Sequence, residues 1–411
     1  MLNKSSIQRL QLSNFKLNSL LEITQSINEN LSTMSLLRRY EKILRVELNI
    51  GRVLIFSFNQ KVWECILESG VEIEDYDADE LVRKHLSKFE DISYITASTT
   101  TQFKGFDIVI PVYQNDKAIA YVLIGDIDEE REGVSPTIKH LKFIQTITNV
   151  IVVAIENKRL NKESLLQAAF KKELELASKM QAMLIPTNEA FPNNEHLKVA
   201  SYYNPHSEVG GDYYDFVRLS KEEYGFCIAD VSGKGMAAAI LMSNFQASLR
   251  ALFTNKIALP AIVVRLNESV MNSAKGEKFI TFFIGRYNAH THKLNYVNAG
   301  HNPPIFYNST NKDTESLNHG CFGLGMFDEI PKVEEAVIDV HHGDKVICYT
   351  DGLSEAENPE NEEFGTLQIE KCIVAKKPIG DILENLKNEM KIFIKDQPVS
   401  DDVSILGIEF H

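Results

Sequence analysis

Four segments in the C-terminal half of the chain place an aspartate at the end of an apolar, strand-like run, beside a small residue. They are GGDYYDF with Asp212, CIADVSGKG with Asp230, ICYTDGLSEAEN with Asp351, and PVSDDVSIL with Asp401 and Asp402. A carboxylate is costly to bury without a partner, but the end of a strand can hold it rigidly at the edge of a cleft. Several carboxylates converging without a His or Cys partner favour a hard divalent cation, Mg²⁺ or Mn²⁺.

Such a site would do hydrolytic chemistry on phosphorus. Two divalent cations can share a bridging water, lower its pKa and so generate a nucleophile for in-line attack. Each aspartate also has a simpler interpretation, because Asp-Gly is a common turn and Asp is a common helix cap. The recurrence of the pattern at four strand ends favours the metal site. Asp215, which follows Asp212 closely, is interpreted as support for the loop.

The same segments carry a resemblance to a known family. VGGDYYDF, IADVSGKGMAAAILM, NAGHNPP, YTDGLSEAEN and SDDVSI occur in the order and roughly the spacing of the SpoIIE/RsbU group of metal-dependent, PPM-type bacterial protein serine/threonine phosphatases. The resemblance covers about residues 175–411 and includes ASKMQAMLIP, which is similar to the "A..Q..LLP" of that group. It implies an αββα sandwich, two divalent metals in a cleft, and removal of phosphate from phosphoserine or phosphothreonine.

The resemblance also implies roles for individual residues. The metal ligands would be Asp212, Asp230, the backbone carbonyl of Val231, Asp351, and one or both of Asp401 and Asp402. Asp230 would bridge the two ions. The closing motif of the family favours Asp401 as the ligand, with Asp402 as a supporting or capping residue.

Three neighbouring features have two interpretations each. Lys234, in the turn that opens the helix GMAAAILMSNFQ, either assists electrostatically or is solvated, and the family implies that this helix is a regulatory switch. His301 in AGHNPP is either a catalytic acid or, as we favour, a structural residue that holds the turn. GCFGLGM has no strand–turn–helix setting and is interpreted as a loop.

The elements that must position these residues are mostly strands. Residues 193–411 alternate β-like runs such as YGFCIADVS, KFITFFIGRYN and SILGIEF with three helical segments, which predicts an antiparallel sandwich flanked by helices. Residues 15–158 read as an α+β domain with two helices, two strands, a hairpin over 106–126 and a long exit helix from about 136. That order resembles the GAF sensor domain; a PAS-like or plain α/β module is the alternative. Residues 1–14 form an N-terminal segment.

Residues 159–192 are predicted to be a helical linker. Apolar residues in it follow alternating steps of four and three, interrupted by Glu173, and the seam consists of Leu166, Phe170, Ala177, Met180 and Leu184. Such a seam is typical of a short coiled coil. It predicts a parallel two-helix connector between the subunits of a homodimer, or else a helix that packs on its own domain.

The composition of the chain argues against several classes of function. The formal net charge of -14 over 411 residues argues against nonspecific binding to nucleic acid or to an anionic membrane. The five scattered cysteines predict no disulfide framework and fit a reducing cytoplasm. The N-terminus lacks the apolar run of a signal peptide, and VIVVAI is too short to span a bilayer.

Together these observations predict a cytoplasmic phosphatase of α+β class. A GAF-like domain that senses a small molecule or a protein signal would control it through the linker. The family implies a phosphorylated anti-sigma factor antagonist, or a similar signalling switch, as substrate. The alternative is a phosphatase-like scaffold with little activity.

Overall fold

The chain divides into two structural units, Met1–Ala168 and Ala169–His411. A computed structural model describes residues 4–59, 61–71, 76–95, 103, 105–114, 116–127, 140–206 and 209–411, with the backbone alone for residues 4–9 and 127. Within this described part of the chain, no helix is long and apolar enough to cross a membrane.

The described residues of the N-terminal unit form five strands and four α-helices, the last of which continues into the second unit. They are α1 (Lys4–Asn28), α2 (Thr33–Lys42), β1 (Ile50–Phe58), β2 (Trp63–Ser69), α3 (Ala78–Leu81), β3 (Ser93–Tyr94), β4 (Ile108–Gln114), β5 (Lys117–Ile127) and α4 (Leu141–Ala182). Short π-helical turns extend α2 and α3. The predicted helices, strands and β4–β5 hairpin are confirmed. The predicted start of the exit helix, at residues 136–139, lies outside the described residues.

One sheet organises this unit, with strand order β2-β1-β5-β4-β3 and antiparallel pairing throughout. Strand side chains alternate between its faces. Val53 and Ile55 pack under α1, α2 and α4, whereas Leu54 and Phe56 face the segment around α3. The unit therefore has a core on each side of the sheet.

The C-terminal unit is rich in strands. These are β6 (Leu197–Asn204), β7 (Tyr213–Arg218), β8 (Glu223–Val231), β9 (Ile280–Asn288), β10 (Lys293–Ala299), β11 (Ile305–Asn308), β12 (Asp313–Ser316), β13 (Gly320–Cys321), β14 (Ala336–Asp339), β15 (Lys345–Tyr349) and β16 (Val403–Phe410). Its helices are α5 (Met236–Leu252), α6 (Leu259–Ala274), α7 (Asp351–Ser354), α8 (Thr366–Ile373) and α9 (Ile379–Ile394).

Two sheets face each other in this unit. One has the order β13-β10-β9-β8-β7, with β14 also paired to β10, and the other has the order β12-β11-β15-β16-β6. Their inner faces share one core, in which the Tyr287 and Phe410 rings lie 4.7 Å apart. Helices α5 and α6 pack on the first sheet, and α8 and α9 pack on the second. The mixed α/β class predicted from the sequence is confirmed.

The segment predicted to be a helical linker, residues 159–192, contains the end of α4, a turn region and a short 3₁₀ helix. Helix α4 runs through residue 168, where the two units divide, and ends at Ala182, four residues before Pro186. A short 3₁₀ turn at Asn188–Ala190 follows.

Candidate active site

The proposed ligands lie where ends of the two sheets meet. Because β7 and β8 are antiparallel, the start of β7 after Asp212 lies beside the end of β8 at Asp230. In the facing sheet, the end of β15 before Asp351 lies beside the start of β16 after Asp402 in the same way. Four segments that are far apart in the sequence thus come together at one edge of the sandwich.

Asp212 is buried at this edge. Thr350 Oγ1 donates a 2.8 Å hydrogen bond to Asp212 Oδ2, and Ser404 N donates to Thr350 Oγ1 at 2.9 Å. Burial raises the pKa of the Asp212 carboxyl well above its usual range, and the nearby carboxylate of Asp230 raises it further. The fold therefore holds a carboxylate where negative charge is unfavourable unless a cation neutralises it.

Asp230 and Val231 end β8. Burial raises the pKa of Asp230 to about 7, and the carboxylates of Asp351 and Asp401 add to that rise. The pKa of Asp351, the first residue of α7, is raised by burial and then by Asp401. These mutual effects show that Asp212, Asp230, Asp351 and Asp401 share one electrostatic environment.

Two glycines hold the loop before Asp212 close to the end of β8. A Cβ on Gly211 would lie 3.0 Å from the carbonyl oxygen of Val231 and 3.5 Å from Asp230 Oδ1. A Cβ on Gly210 would lie 2.6 Å from Asp402 Oδ2. Any larger residue at position 211 would fill the space between these oxygens, where an ion could approach.

Asp401 and Asp402 have different surroundings. Asp402 is buried, and its two oxygens accept backbone hydrogen bonds from His206 N at 2.7 Å and Gly211 N at 2.6 Å. Asp401 is partly exposed, and its Oδ2 lies 3.1 Å from Lys234 Nζ. Asp402 thus fastens the loop that carries Asp212, which supports the preference for Asp401 as ligand.

Lys234 and Asp215 are both engaged. Lys234 Nζ also donates to the carbonyl of Ser400, so it is held against the Asp401 segment and is not simply solvated. Asp215 is buried, accepts a 2.6 Å hydrogen bond from the Tyr213 hydroxyl, and pairs through both oxygens with Arg250 on α5. Asp215 therefore joins β7 to α5, and its two oxygens are engaged by Arg250.

His301 has the structural role that the sequence favours. Its ring Nδ1 lies 2.9 Å from Thr281 Oγ1, and its backbone N–H donates to Asn298 Oδ1 at 2.8 Å. Burial lowers the pKa of His301 to about 4. The imidazole is therefore neutral at physiological pH, and the imidazolium form that an efficient general acid would use is scarcely populated.

The residues present fit a divalent cation that keeps part of its water shell. Among the described residues, no three His, Cys, Asp or Glu side chains already converge as a complete ligand set. Mg²⁺ usually binds one or two carboxylates and retains several waters, so the aspartates and the Val231 carbonyl need not form a closed protein cage. The raised pKa values, and the close approach of Gly211 to the oxygens of Val231 and Asp230, are the observations that support this fit.

Two supporting residues are not identified by the sequence analysis. Thr350 precedes Asp351 in the YTDG motif, but nothing in that motif shows that its hydroxyl contacts Asp212. Gln181, within the ASKMQAMLIP segment, donates from Nε2 to Gly210 O at 2.6 Å and accepts from Gly210 N at 3.1 Å through Oε1. The end of α4 is thereby bonded to the loop that positions Asp212.

The two-sheet sandwich with helices on both outer faces also occurs in a solved bacterial PP2C domain. The structure is similar to the SiaA PP2C domain of Pseudomonas aeruginosa, with a TM-score of 0.53 and 18% identity over 60% of this chain and 99% of that chain. That likeness shows the fold.

Sequence comparison assigns the domain more narrowly. Residues 220–411 match the family model of Stage II sporulation protein E (SpoIIE), a range that begins after Asp212 and includes the other proposed ligands. The chain is 27% identical to the phosphoserine phosphatase RsbU of Bacillus subtilis over 59% of this chain and 71% of that protein. It is 25% identical to the phosphoserine phosphatase RsbP of the same organism, of which it spans 45%. The C-terminal unit therefore contains a region that matches the SpoIIE family model and is similar in sequence to two phosphoserine phosphatases.

Proposed function

We propose that the protein hydrolyses phosphoserine or phosphothreonine on a signalling protein, with an anti-sigma factor antagonist as the substrate type. The observation that supports this proposal most is that the strand ends carrying Asp212, Asp230, Asp351 and Asp401 meet at one edge of the sandwich. There, burial and neighbouring carboxylates raise the pKa values of Asp212, Asp230 and Asp351. The names of the RsbU and RsbP relatives support the substrate chemistry.

Two divalent cations, Mn²⁺ or Mg²⁺, would be held by those four aspartates and the Val231 carbonyl. When bound, they supply Lewis-acid activation of water and neutralise charge on the phosphoryl oxygens. Asp230 interacts electrostatically with Asp212, Asp351 and Asp401, which supports its proposed role as the ligand shared by both ions. Two further residues orient the loop that carries Asp212. Thr350 donates a hydrogen bond to the Asp212 side chain, and Asp402 accepts one from the Gly211 backbone N–H.

The test is phosphate release from a phosphoserine protein and from p-nitrophenyl phosphate, with and without Mn²⁺. We expect Mn²⁺-dependent hydrolysis of both by the full chain and a loss of at least about a hundredfold in Asp230→Asn, since a ligand to both ions is removed. Asp215→Asn is a control for buried aspartates outside the cation site, provided that it stays folded. Hydrolysis that persists in EDTA or in Asp230→Asn would refute the assignment. If the domain is instead a scaffold without activity, calorimetric titration should detect no binding of Mn²⁺.

We further propose that the N-terminal unit is a GAF-like sensor that controls the phosphatase through α4. Its five-stranded antiparallel sheet, with a helical layer contributed by α1, α2 and α4, supports this interpretation. Two hydrogen bonds between Gln181 and Gly210 connect the end of α4 directly to the loop that carries Asp212. Whether the signal is a small molecule or a protein would be tested by thermal-shift screening against metabolites and by co-purification.

A further inference from the structure

An exposed group of large apolar side chains lies next to the aspartate cleft. It comprises Phe279, Phe322, Met326 and Phe327, and is called the aromatic ledge below. Phe322 is 57% exposed and Phe327 is 48% exposed, and their rings meet edge to face with centroids 5.1 Å apart. Contiguous exposed apolar surface of this kind is typical of an interaction site.

The ledge is fixed to the cleft by backbone hydrogen bonds. Ile280 pairs with Val231 on one side and exchanges two 2.8 Å hydrogen bonds with Leu324 on the other. Ser232 N donates to Phe279 O at 2.9 Å, and Phe279 N donates to Ser232 Oγ at 2.9 Å. The ledge therefore starts within two residues of the proposed ligands Asp230 and Val231.

The exposure of these side chains does not come from a loosely held loop. Buried Asn267 on α6 accepts a 2.8 Å hydrogen bond from Gly325 N and donates to the carbonyls of Phe327 and Asp328. Gly325 has φ of +84°, and a Cβ there would lie 2.6 Å from Val270 Cγ1. The loop is thus anchored from below while its aromatic side chains face outward.

Two surface cavities, one lined in part by Phe322 and one lined by Lys278, the residue before Phe279, could receive side chains of a partner. One, of about 310 Å³, is lined by residues that include Phe322 and Pro331. The other, of about 280 Å³, lies between α5 and the end of α6 and is lined by residues that include Ile240 and Lys278. Exposed aromatic and Met side chains beside such cavities have the composition of an interface centre.

We propose that the aromatic ledge is the docking surface for the folded phosphoprotein substrate, an inference that rests on the proposed function. A phosphoserine side chain is short, so the protein that carries it must rest on the rim of the cleft when the phosphate reaches the aspartates. The ledge forms that rim beside β8 and β9. With a net charge of -14 on the chain, attraction of an acidic phosphoprotein by overall charge is unfavourable, and apolar contact is the suitable means of recognition.

The experiment compares Phe322→Ser/Phe327→Ser with wild type in the full chain. The probes are an anti-sigma factor antagonist phosphorylated on serine by its kinase, and p-nitrophenyl phosphate, which is too small to reach the ledge. We expect KM for the phosphoprotein to rise about tenfold or more, as for loss of an interface hot spot, with kcat and Mn²⁺-dependent p-nitrophenyl phosphate hydrolysis unchanged. Leu367→Ser and Ile392→Ser, at even more exposed apolar residues on α8 and α9 of the opposite layer, are the controls.

Binding of the phosphoprotein, measured by fluorescence anisotropy, separates this inference from the proposed function. A Kd that weakens about tenfold in the ledge variant but not in the controls supports docking even if hydrolysis is absent. An unchanged Kd, or an equal loss of hydrolysis with both probes, would overturn the proposal. If the double variant does not fold, the single Phe322→Ser variant decides between these outcomes. Loss of self-association in place of substrate binding would reassign the ledge to a contact between copies of the chain.

Discussion

At the residue scale, the site is defined by carboxylates that the fold places close together at a cost in electrostatic free energy. Burial raises the pKa of Asp212 well above its usual range and that of Asp230 to about 7, and neighbouring carboxylates add to both rises. The aspartates could be found from the sequence because each ends an apolar run. Their partners could not, because Thr350 contacts a residue 138 positions away and hydroxyl–carboxylate contacts at that separation leave no local pattern.

The raised pKa of Asp230 predicts the sign of a pH effect on the metal-free protein. An unfolded aspartate titrates near 3.8, whereas folded Asp230 titrates near 7. Between these values the folded state binds more protons, so its stability falls as pH rises through this window and stays lower above it. We expect this group to contribute on the order of 1 kcal/mol after screening by solvent.

Thermal unfolding in EDTA at pH 5.5 and pH 8 measures this effect. Asp230→Asn should reduce the loss of stability between the two pH values, and Mn²⁺ at pH 8 should raise the Tm of wild type far more than that of the variant. If the Tm of wild type and that of Asp230→Asn change equally between the two pH values, Asp230 does not have the raised pKa that this prediction assumes.

Thr350 should matter to activity through the orientation of Asp212. Removing its hydroxyl in Thr350→Val leaves Asp212 Oδ2 and Ser404 N without their partner. Since outer partners of metal ligands commonly affect affinity or activity by about 10–100-fold, we expect kcat with p-nitrophenyl phosphate to fall at least about tenfold with weaker Mn²⁺ affinity. Thr350→Ser keeps the hydroxyl and should restore both. If Ser and Val behave alike, the hydrogen bond has no part in the site.

At the element scale, the sequence predicts long, regular elements and misses short ones at edges. The buried runs of β8, β9 and β16 are confirmed, since continuous apolar character is typical of central strands. Strands β12 and β14 are missed because they are four residues long and largely exposed at sheet edges. Helix α7 is missed because a single turn after Asp351 carries no periodicity.

The link between α4 and the Asp212 loop gives a prediction at this scale. Gln181→Ala removes both hydrogen bonds to Gly210 and frees a buried backbone N–H and C=O in the loop. We expect Mn²⁺ affinity to weaken by about tenfold, as for other residues that hold a ligand segment in place. Calorimetric Mn²⁺ titration measures this, with exposed Lys179→Ala as the control. Unchanged Mn²⁺ affinity and kcat in Gln181→Ala would show that the contact does not position the loop.

At the scale of the whole molecule, the two units are joined by a helix whose middle carries uncovered apolar residues. Of the predicted seam, Leu166, Phe170 and Met180 are each more than 60% exposed, whereas Ala177 and Leu184 are partly buried. Exposure of a row of apolar side chains to water is unfavourable, and pairing with a second α4 would bury them. This observation supports the predicted homodimer over a helix that packs only on its own domain.

The dimer is tested in the full chain by Leu166→Glu/Phe170→Glu. Charges facing each other across a parallel seam repel, so we expect the variant to be monomeric by light scattering at concentrations where wild type is dimeric. Leu176→Glu is the matched control, since Leu176 is equally exposed but lies off the seam. Because the aspartates all lie in one C-terminal unit, the monomeric variant should keep its Mn²⁺-dependent p-nitrophenyl phosphate hydrolysis and lose only the response to the sensed signal. A dimer that survives the double substitution, or one that Leu176→Glu disrupts equally, would place the protomer contact elsewhere on the chain.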